Sequence, residues 1–372
     1  MSVTARMDHT AARRTLLRAR ALCACILFIV WASLVHASEA EYPDVIPGYA
    51  ISFPEDEGSH PAFRTEWWYV TGWLTDREGI ERGFQVTFFR NRPGVDERNP
   101  SRFAPRQLLF AHAAISDPMR GRLLRAERSA RAGFGLAEAA EGRLDVRIDE
   151  WSLRQEGEIY RTSIAAADFS IELEFRAVQP PILQGDNGFS QKSPDPSYAS
   201  YYYSLPQLET TGEVRIENAR YRVRGAAWFD HEWSSRLLDD AAMQWDWMGI
   251  NLDDGGAVAA GQIKDKSGRE HWAAGTWRVS PTGPVRAFGP DEIEWAPLRH
   301  WRSPRTDIVY PVEWRIAIGD RTLRLQPLMD DQENDARGST GSIYWEGAVR
   351  VLDERGARIG KGYLELTGYE AE

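Results

Sequence analysis

The sequence predicts an all-β protein built from antiparallel sheets. In residues 169–177 apolar and polar side chains alternate strictly, and from Ile308 to Ile318 an apolar side chain recurs at every second position. Such segments are typical of half-buried strands, which pack one face on a core and leave the other in water. No long stretch carries the 3.6-residue period of an amphipathic helix. Many strands at this spacing indicate barrels or sandwiches.

The central strand is predicted at residues 63–74, with the sequence FRTEWWYVTGWL. With a period of two, Trp67 and Tyr69 share one face, and Glu66 and Trp68 share the other. Because both faces carry aromatic side chains, neither is a simple solvent face. We therefore expect a strand inside a sheet rather than at its edge.

The other strands follow in order along the chain, and the pattern divides them between two all-β domains. We predict domains at residues 45–236 and 237–372, with strands near 84–88, 108–114, 144–148, 169–177, 245–250, 272–279, 308–318, 343–351 and 362–369. Two proline-containing segments, residues 91–106 and 179–206, are predicted to be long loops.

Residues 1–37 are predicted to be a signal peptide. Arginines precede an apolar run at residues 21–35, and Val35-His36-Ala37 predicts cleavage after Ala37. An ordinary export signal and a twin-arginine signal both fit this segment. The run is too short for a comfortable membrane span. We expect a periplasmic or secreted protein that is not an integral membrane protein after cleavage.

The composition excludes several classes of function. Both cysteines, Cys23 and Cys25, lie in the predicted signal peptide, so the mature chain would have no disulfide, thiol nucleophile or thiolate ligand. Removing the five arginines and one aspartate of residues 1–37 changes the net charge from −10 to −14. This charge disfavours nucleic acid and anionic membranes as partners. Fourteen of the 15 tryptophans remain, which predicts aromatic cores or a ligand cavity.

The densest ionisable cluster is Asp230-His231-Glu232, within the second aromatic stretch at residues 227–233. On a strand, Asp230 and Glu232 share a face and His231 points the other way. A carboxyl group among tryptophans loses hydration, so its pKa rises and it can act as an acid at neutral pH. The alternative is a buried ion-pair network that joins the domains.

Glu66 presents the same two alternatives. It is a catalytic candidate, or it is the partner of Arg64, which lies on the same face of the strand. Arg64 and Glu232 are accordingly the candidates for structural ion pairs. The histidines are scattered singly, without H-E-x-x-H or a similar spacing, so we predict no metal.

Several segments resemble the carotenoid 1,2-hydratases and AttH-like proteins, a family of two-domain lipocalin-like proteins. The segments that match are residues 54–60, 63–72, 228–233, 245–247, 344–348 and 362–369. The resemblance implies two lipocalin-like antiparallel barrels side by side, with a ligand site in or between them. It implies a cofactor-free reaction and carries over Asp230, His231 and Trp233 as site residues; Glu66 is added from its position. The AttH-like branch is associated with ABC-type transporters.

Two functions follow as expectations. The first is an exported protein that binds a hydrophobic small molecule or lipid and assists an ABC-type transporter. The second is a hydro-lyase of the carotenoid 1,2-hydratase type, with Asp230, His231 and Glu66 as catalytic candidates. In either case the ligand is expected to contact the aromatic residues of the two stretches and their neighbours, namely Trp67, Trp68, Tyr69, Trp228, Trp233, Trp245 and Trp247.

Overall fold

The computed structural model describes residues 41–94 and 99–371. The predicted signal peptide, with both cysteines, lies outside these residues. The strands below all belong to one compact unit, Tyr42–Pro93 with Pro105–Glu372. Within the described residues, no helix is long and apolar enough to span a membrane.

The first sheet contains the strands that precede residue 237. They are β1 (Thr65–Thr75), β2 (Glu81–Asn91), β3 (Leu108–Asp117), β4 (Arg122–Arg131), β5 (Ala137–Ala139), β6 (Asp145–Ile148), β7 (Trp151–Glu156), β8 (Ile159–Ala165), β9 (Phe169–Arg176), β10 (Ile182–Leu183), β11 (Phe189–Gln191), β12 (Ala199–Ile216) and β13 (Ala219–Arg236). Their order is β4-β3-β2-β1-β13-β12-β9-β8-β7-β6-β5, with β10 and β11 paired to β12. β6 also lies against β3 and β4, which nearly closes the sheet into a barrel.

The second sheet contains the remaining strands. They are β14 (Gln244–Leu252), β15 (Ala257–Lys264), β16 (Glu270–Arg278), β17 (Val285–Phe288), β18 (Ile293–Arg302), β19 (Val309–Ile318), β20 (Arg321–Pro327), β21 (Glu333–Ala336), β22 (Ser342–Leu352) and β23 (Arg358–Thr367). Their order is β17-β16-β15-β14-β23-β22-β20-β19-β18, with β21 paired to β22, and β16 lies against β18. Short 3-10 turns occur at Glu55–Glu57 and Pro290–Glu292. The predicted all-β fold of two antiparallel barrels is confirmed.

The predicted loop at residues 179–206 is wrong in its second half. The tyrosine run Tyr201–Tyr203 lies in β12 and is buried, because β12 pairs with β13 over most of its length. The register between the two strands shifts between Leu205 and Leu208, so Pro206 sits in a bulge. A proline in a bulge leaves no ladder hydrogen bond unmade, which is why it does not end this strand.

The two sheets meet along the outer face of β1 and β13. Tyr69, Trp73 and Trp228 of the first sheet pack with Trp247 and Tyr363 of the second in one buried apolar cluster. This contact explains why the central strand is aromatic on both faces. One face fills the first barrel, and the other covers the second sheet.

A glycine in β2 allows the two sheets to approach closely. A Cβ atom at Gly83 in β2 would lie 2.6 Å from the Cβ atom of Ala348 in β22 and 2.7 Å from the hydroxyl of Tyr363. Any larger residue at position 83 would therefore push the strands apart. The two sheets are therefore in close contact at this point.

Candidate functional site

The two aromatic stretches lie side by side, because β1 and β13 are antiparallel neighbours. Trp68 lies opposite His231, and Tyr69 lies opposite Asp230. The alternation of strand side chains then divides the predicted site residues between two environments. One set faces the interior of the first barrel, and the other faces the second sheet.

The interior set centres on Glu66, which is fully buried. Its Oε2 atom accepts a hydrogen bond from Arg90 Nε at 2.7 Å and one from Ser59 Oγ at 3.1 Å. Its Oε1 atom lies 2.7 Å from His60 Nδ1 and 3.0 Å from His231 Nε2. Both carboxylate oxygens are therefore occupied by protein donors.

The pKa values of this cluster agree with a structural role. Burial raises the pKa of Glu66, but hydrogen bonds from His231 and His60 and the charge of Arg90 lower it further, to well below its ordinary value. Burial lowers the pKa of His60, and its hydrogen bonds to Asp56 and Glu66 more than reverse this. Burial also lowers the pKa of His231, so that imidazole is neutral. An ionised Glu66 held in this way has no proton to donate to a substrate.

The arginine that pairs with Glu66 is Arg90 and not the predicted Arg64. Arg90 is the cross-strand partner of Glu66 in β2 and is 1% exposed. Arg64 is exposed, and its guanidinium lies 5.9 Å from the centre of the Tyr42 ring. The Arg64–Glu66 pair expected from the sequence is thus replaced by a pair between neighbouring strands.

Two of the predicted ligand-binding tryptophans also belong to the interior. Trp233 stacks on His60 with ring centres 3.9 Å apart, and Trp68 stacks on His231 at 4.9 Å. Both tryptophans are almost fully buried. They pack the histidines of the Glu66 cluster and lie on the face of the sheet opposite the cavity described below.

Among the described residues, one group offers atoms close enough together to hold a metal, His60, Glu66 and His231, within 4.8 Å of one another. The contacts within it are of hydrogen-bond length, and Arg90 lies on the same carboxylate. A neighbouring guanidinium charge opposes a cation at this point. These three residues and Arg90 form a hydrogen-bonded cluster.

A cavity of about 340 Å³ lies between the sheets on the outer face of β1 and β13. This volume is in the range of small-molecule sites. Its walls come from both sheets and from the connection between β13 and β14, and they are formed by Trp67, Tyr69, Gln85, Thr87, Phe89, His112, Tyr202, Asp230, Glu232, Leu237, Leu238, Ala242, Met243, Gln244, Trp245, Trp247, Thr340, Ser342, Tyr344, Glu346, Glu365 and Thr367.

Strand register arranges the central wall residues in two layers. In the inner layer, Tyr69 of β1 lies opposite Asp230 of β13. Glu365 of β23 lies between its two neighbours, Trp247 of β14 and Glu346 of β22.

The outer layer lies two residues away along each strand. Trp67 lies opposite Glu232, and Thr367 lies between Trp245 and Tyr344. Aromatic rings and carboxyl groups therefore face the same space at each level.

Asp230 is the best-defined acid of the inner layer. It is 3% exposed, and its Oδ1 atom accepts hydrogen bonds from Ser204 Oγ at 2.5 Å and Trp228 Nε1 at 2.8 Å. Burial raises the pKa of Asp230 to about 7, against the lowering effect of these hydrogen bonds and with a further rise from Glu232. A carboxyl group with this pKa can donate a proton near neutral pH.

A second acidic pair, Glu346 and Glu365, was not predicted from the sequence. The two residues are cross-strand partners in β22 and β23. Burial and the Glu365 carboxyl raise the pKa of Glu346 well above its ordinary value, and burial raises the pKa of Glu365 to about 7. Both glutamates lie inside matched segments of the sequence, but only the pairing of β22 with β23 shows that they face each other.

The remaining predicted residues surround the cavity. Glu232 forms an ion pair with Lys192 at 2.9 Å, and Lys192 Nζ lies 5.8 Å from the centre of the Trp245 ring. Trp228 packs beside the cavity, with its ring centre 6.5 Å from that of Trp247. His231 lies on the opposite face of β13 from Asp230, so it does not share the cavity with that residue.

Comparison with known proteins supports the fold and the family. A family model described as AttH-like matches residues 44–369. A crystal structure of a protein assigned as AttH from Nitrosomonas europaea is 47% identical, with a TM-score of 0.82, over 88% of this chain and 99% of that one. The crystal structure of kievitone hydratase from Nectria haematococca has a TM-score of 0.67 at 13% identity, over 90% of this chain and 97% of that one.

Kievitone hydratase from Fusarium solani subsp. phaseoli is 23% identical over 171 residues, which are 44% of this chain and 47% of that protein. The matched region therefore spans about half the length of this relative. The family model, in contrast, covers nearly all of the described residues. The chain belongs to the AttH-like family.

Proposed function

We propose that this protein is a cofactor-free hydro-lyase that adds water to a carbon–carbon double bond of an apolar substrate in the inter-sheet cavity. The observation that carries the proposal is Asp230, a buried carboxyl group with a pKa of about 7 that faces aromatic side chains. Two relatives named kievitone hydratase support a reaction of this class for the fold.

The proposed reaction begins with proton transfer from Asp230 to one carbon of the double bond. The π electron pair forms the new C–H bond, and a carbocation remains on the other carbon. The rings of Trp67, Tyr69 and Trp247 line the cavity, and their π systems stabilise the positive charge. Water then forms the C–O bond and gives one proton to Glu232. Proton exchange with solvent then returns a proton to Asp230 and removes one from Glu232.

The proposal is tested by incubating the purified protein with neutral alkenes, kievitone among them, in ¹⁸O-labelled water. A product that has gained one labelled water, formed only with folded protein, is the expected result. A buffer without added metal or cofactor keeps the assay specific for the proposed chemistry. No labelled product from any alkene that binds in the cavity would contradict the proposal.

The rate of water addition is expected to fall as the pH rises above about 7. Asp230 donates only when protonated, and its pKa is raised to about 7, so the active fraction decreases about tenfold for each further pH unit. Initial rates at a series of pH values test this. Glu365 also has a pKa of about 7, so the variant Glu365→Gln is the control and should keep the same alkaline limb. A rate that does not change across neutral pH would contradict the assignment.

A second candidate function is transport or storage of an apolar ligand. Two residues at the cavity wall, Leu238 and Met243, are 39% and 45% exposed and give it an apolar rim. In this case the protein would co-purify with a hydrophobic molecule and return it unchanged. Export to the periplasm and association with an ABC-type transporter are further proposals that rest on the N-terminal pattern and the family. Cell fractionation and affinity capture with the full chain test them.

A further inference from the structure

Four buried polar atoms of the cavity wall have no hydrogen-bond partner of normal geometry among the described residues. One is Nε1 of Trp245, and the other three, on strands β1, β2 and β22, are the hydroxyl of Tyr69, Oε1 of Gln85 and Oε1 of Glu346. The three side chains are 6%, 2% and 3% exposed, respectively. An unpaired buried polar group is destabilising, so such a group normally has a hydrogen-bond partner from the protein, from water or from a ligand.

The atoms of Tyr69, Gln85 and Glu346 lie at the closed end of the cavity. Gly83 and Ala348 bring β2 and β22 together, and Gln85 and Glu346 are two residues further along each strand, on the same faces. Tyr69 lies on β1, diagonally across from Gln85. Burial, the carboxyl groups of Glu346 and Glu365, and a Tyr69–Glu346 contact outside normal hydrogen-bond geometry raise the pKa of Tyr69 well above its ordinary value, so Tyr69 and Glu346 are neighbours.

The three groups together suit a neutral hydroxyl group. The Tyr69 hydroxyl can donate a hydrogen bond to the oxygen of the bound group, and the single O–H of that group can donate to Gln85 Oε1 or to Glu346 Oε1. The Nε2 atom of Gln85 donates to Thr87 Oγ1 at 2.6 Å, which leaves Oε1 as the atom of this amide without a partner. A raised pKa keeps Glu346 protonated and uncharged, so no cation is required here.

The other end of the cavity has an apolar rim. The connection from β13 to β14 contributes Leu237, Leu238 and Met243 to the wall, and the last two are exposed. A ligand with one polar end would therefore place that end between Gln85 and Glu346 and leave its apolar part toward this connection.

We propose that Tyr69, Gln85 and Glu346 form a hydroxyl-binding site that orients a neutral, apolar alcohol or phenol with its O–H group at the closed end of the cavity. This site would define the substrate class of the proposed reaction, and only that part of the inference rests on the proposed function. Binding itself requires no reaction, so the two proposals can fail separately.

The test compares two neutral probes of similar size, 2-naphthol and 2-methylnaphthalene, by calorimetry on the purified full chain. The hydroxylated probe is expected to bind about tenfold more tightly, because it makes hydrogen bonds that the methyl group cannot make. If only water occupies the site and the ligand leaves that water in place, the two probes bind equally. That result would overturn the proposal.

Variants assign the preference to these residues. Tyr69→Phe and Glu346→Leu are each expected to reduce the tenfold preference several-fold, whereas Glu346→Gln keeps an acceptor oxygen and retains most of it. Tyr363→Phe is the matched control, since that hydroxyl is also buried and unpaired but lies outside this cavity. A preference that survives both Tyr69→Phe and Glu346→Leu would also overturn the proposal. A preserved preference in a protein that hydrates no alkene would count against the proposed reaction alone.

Discussion

Replacing Asp230 by asparagine is expected to lower the rate of water addition by about 10²–10⁴-fold. The amide has nearly the same shape as the carboxyl group and can still accept hydrogen bonds from Ser204 and Trp228 at its oxygen. It cannot transfer a proton to a double bond. Fold and ligand affinity should therefore change little, and the loss should appear in kcat. Single-turnover rates with saturating alkene separate this effect from binding.

Asp246→Asn provides the matched control for this prediction. Asp246 is also a buried aspartate with a pKa raised by burial, but Lys264 pairs with it at 3.0 Å and it lies outside the wall of the inter-sheet cavity. Its replacement should leave the rate per folded molecule within a few-fold of the original, although it leaves Lys264 without its partner. If Asp230→Asn retains the full rate while folded, Asp230 is not the proton donor.

The position of Asp230 shows how far the sequence alone leads. The alternation of residues 227–233 correctly separates Asp230 and Glu232 from His231, and the all-β pattern correctly predicts the sheets. Which face meets the second sheet is not contained in that pattern, because both faces carry tryptophan. This is why Trp68 and Trp233 were grouped with the cavity residues although they pack inside the first barrel.

The sequence alone does not predict which side chains of different strands lie opposite each other, and this limits the prediction of the site most strongly. Glu66 lies opposite Arg90, and Glu346 lies opposite Glu365, and both relations depend on the register of hairpins. Within one strand, Arg64 was the nearest arginine on the face of Glu66, so local periodicity selected it. Turn geometry fixes the register that brings Arg90 there instead, and a one-residue shift would have moved it to the other face.

The largest effect on stability is expected for Glu66→Ala, which should lower the free energy of unfolding by about 3–5 kcal/mol. Glu66 is the common acceptor for Arg90, His60 and His231, and its removal leaves the buried Arg90 guanidinium without a counter-charge. Arg90 would retain hydrogen bonds to the backbone oxygens of His60 and Phe63, which do not replace a negative charge. Chemical denaturation at neutral pH measures the change.

The pH dependence distinguishes this explanation from a general packing defect. The pKa of Glu66 is depressed in the folded state, so its contribution is fully present above its ordinary value of 4.5 and is lost as the pH falls below it. The difference in stability between the original protein and Glu66→Ala should therefore shrink in acid. Glu138→Ala, which removes an exposed partner of Arg147, should cost less than about 1 kcal/mol. Two results would contradict a charge-based role for the Glu66 cluster. One is a loss of less than about 1 kcal/mol in the free energy of unfolding for Glu66→Ala. The other is a stability difference between the two proteins that stays constant below pH 4.5.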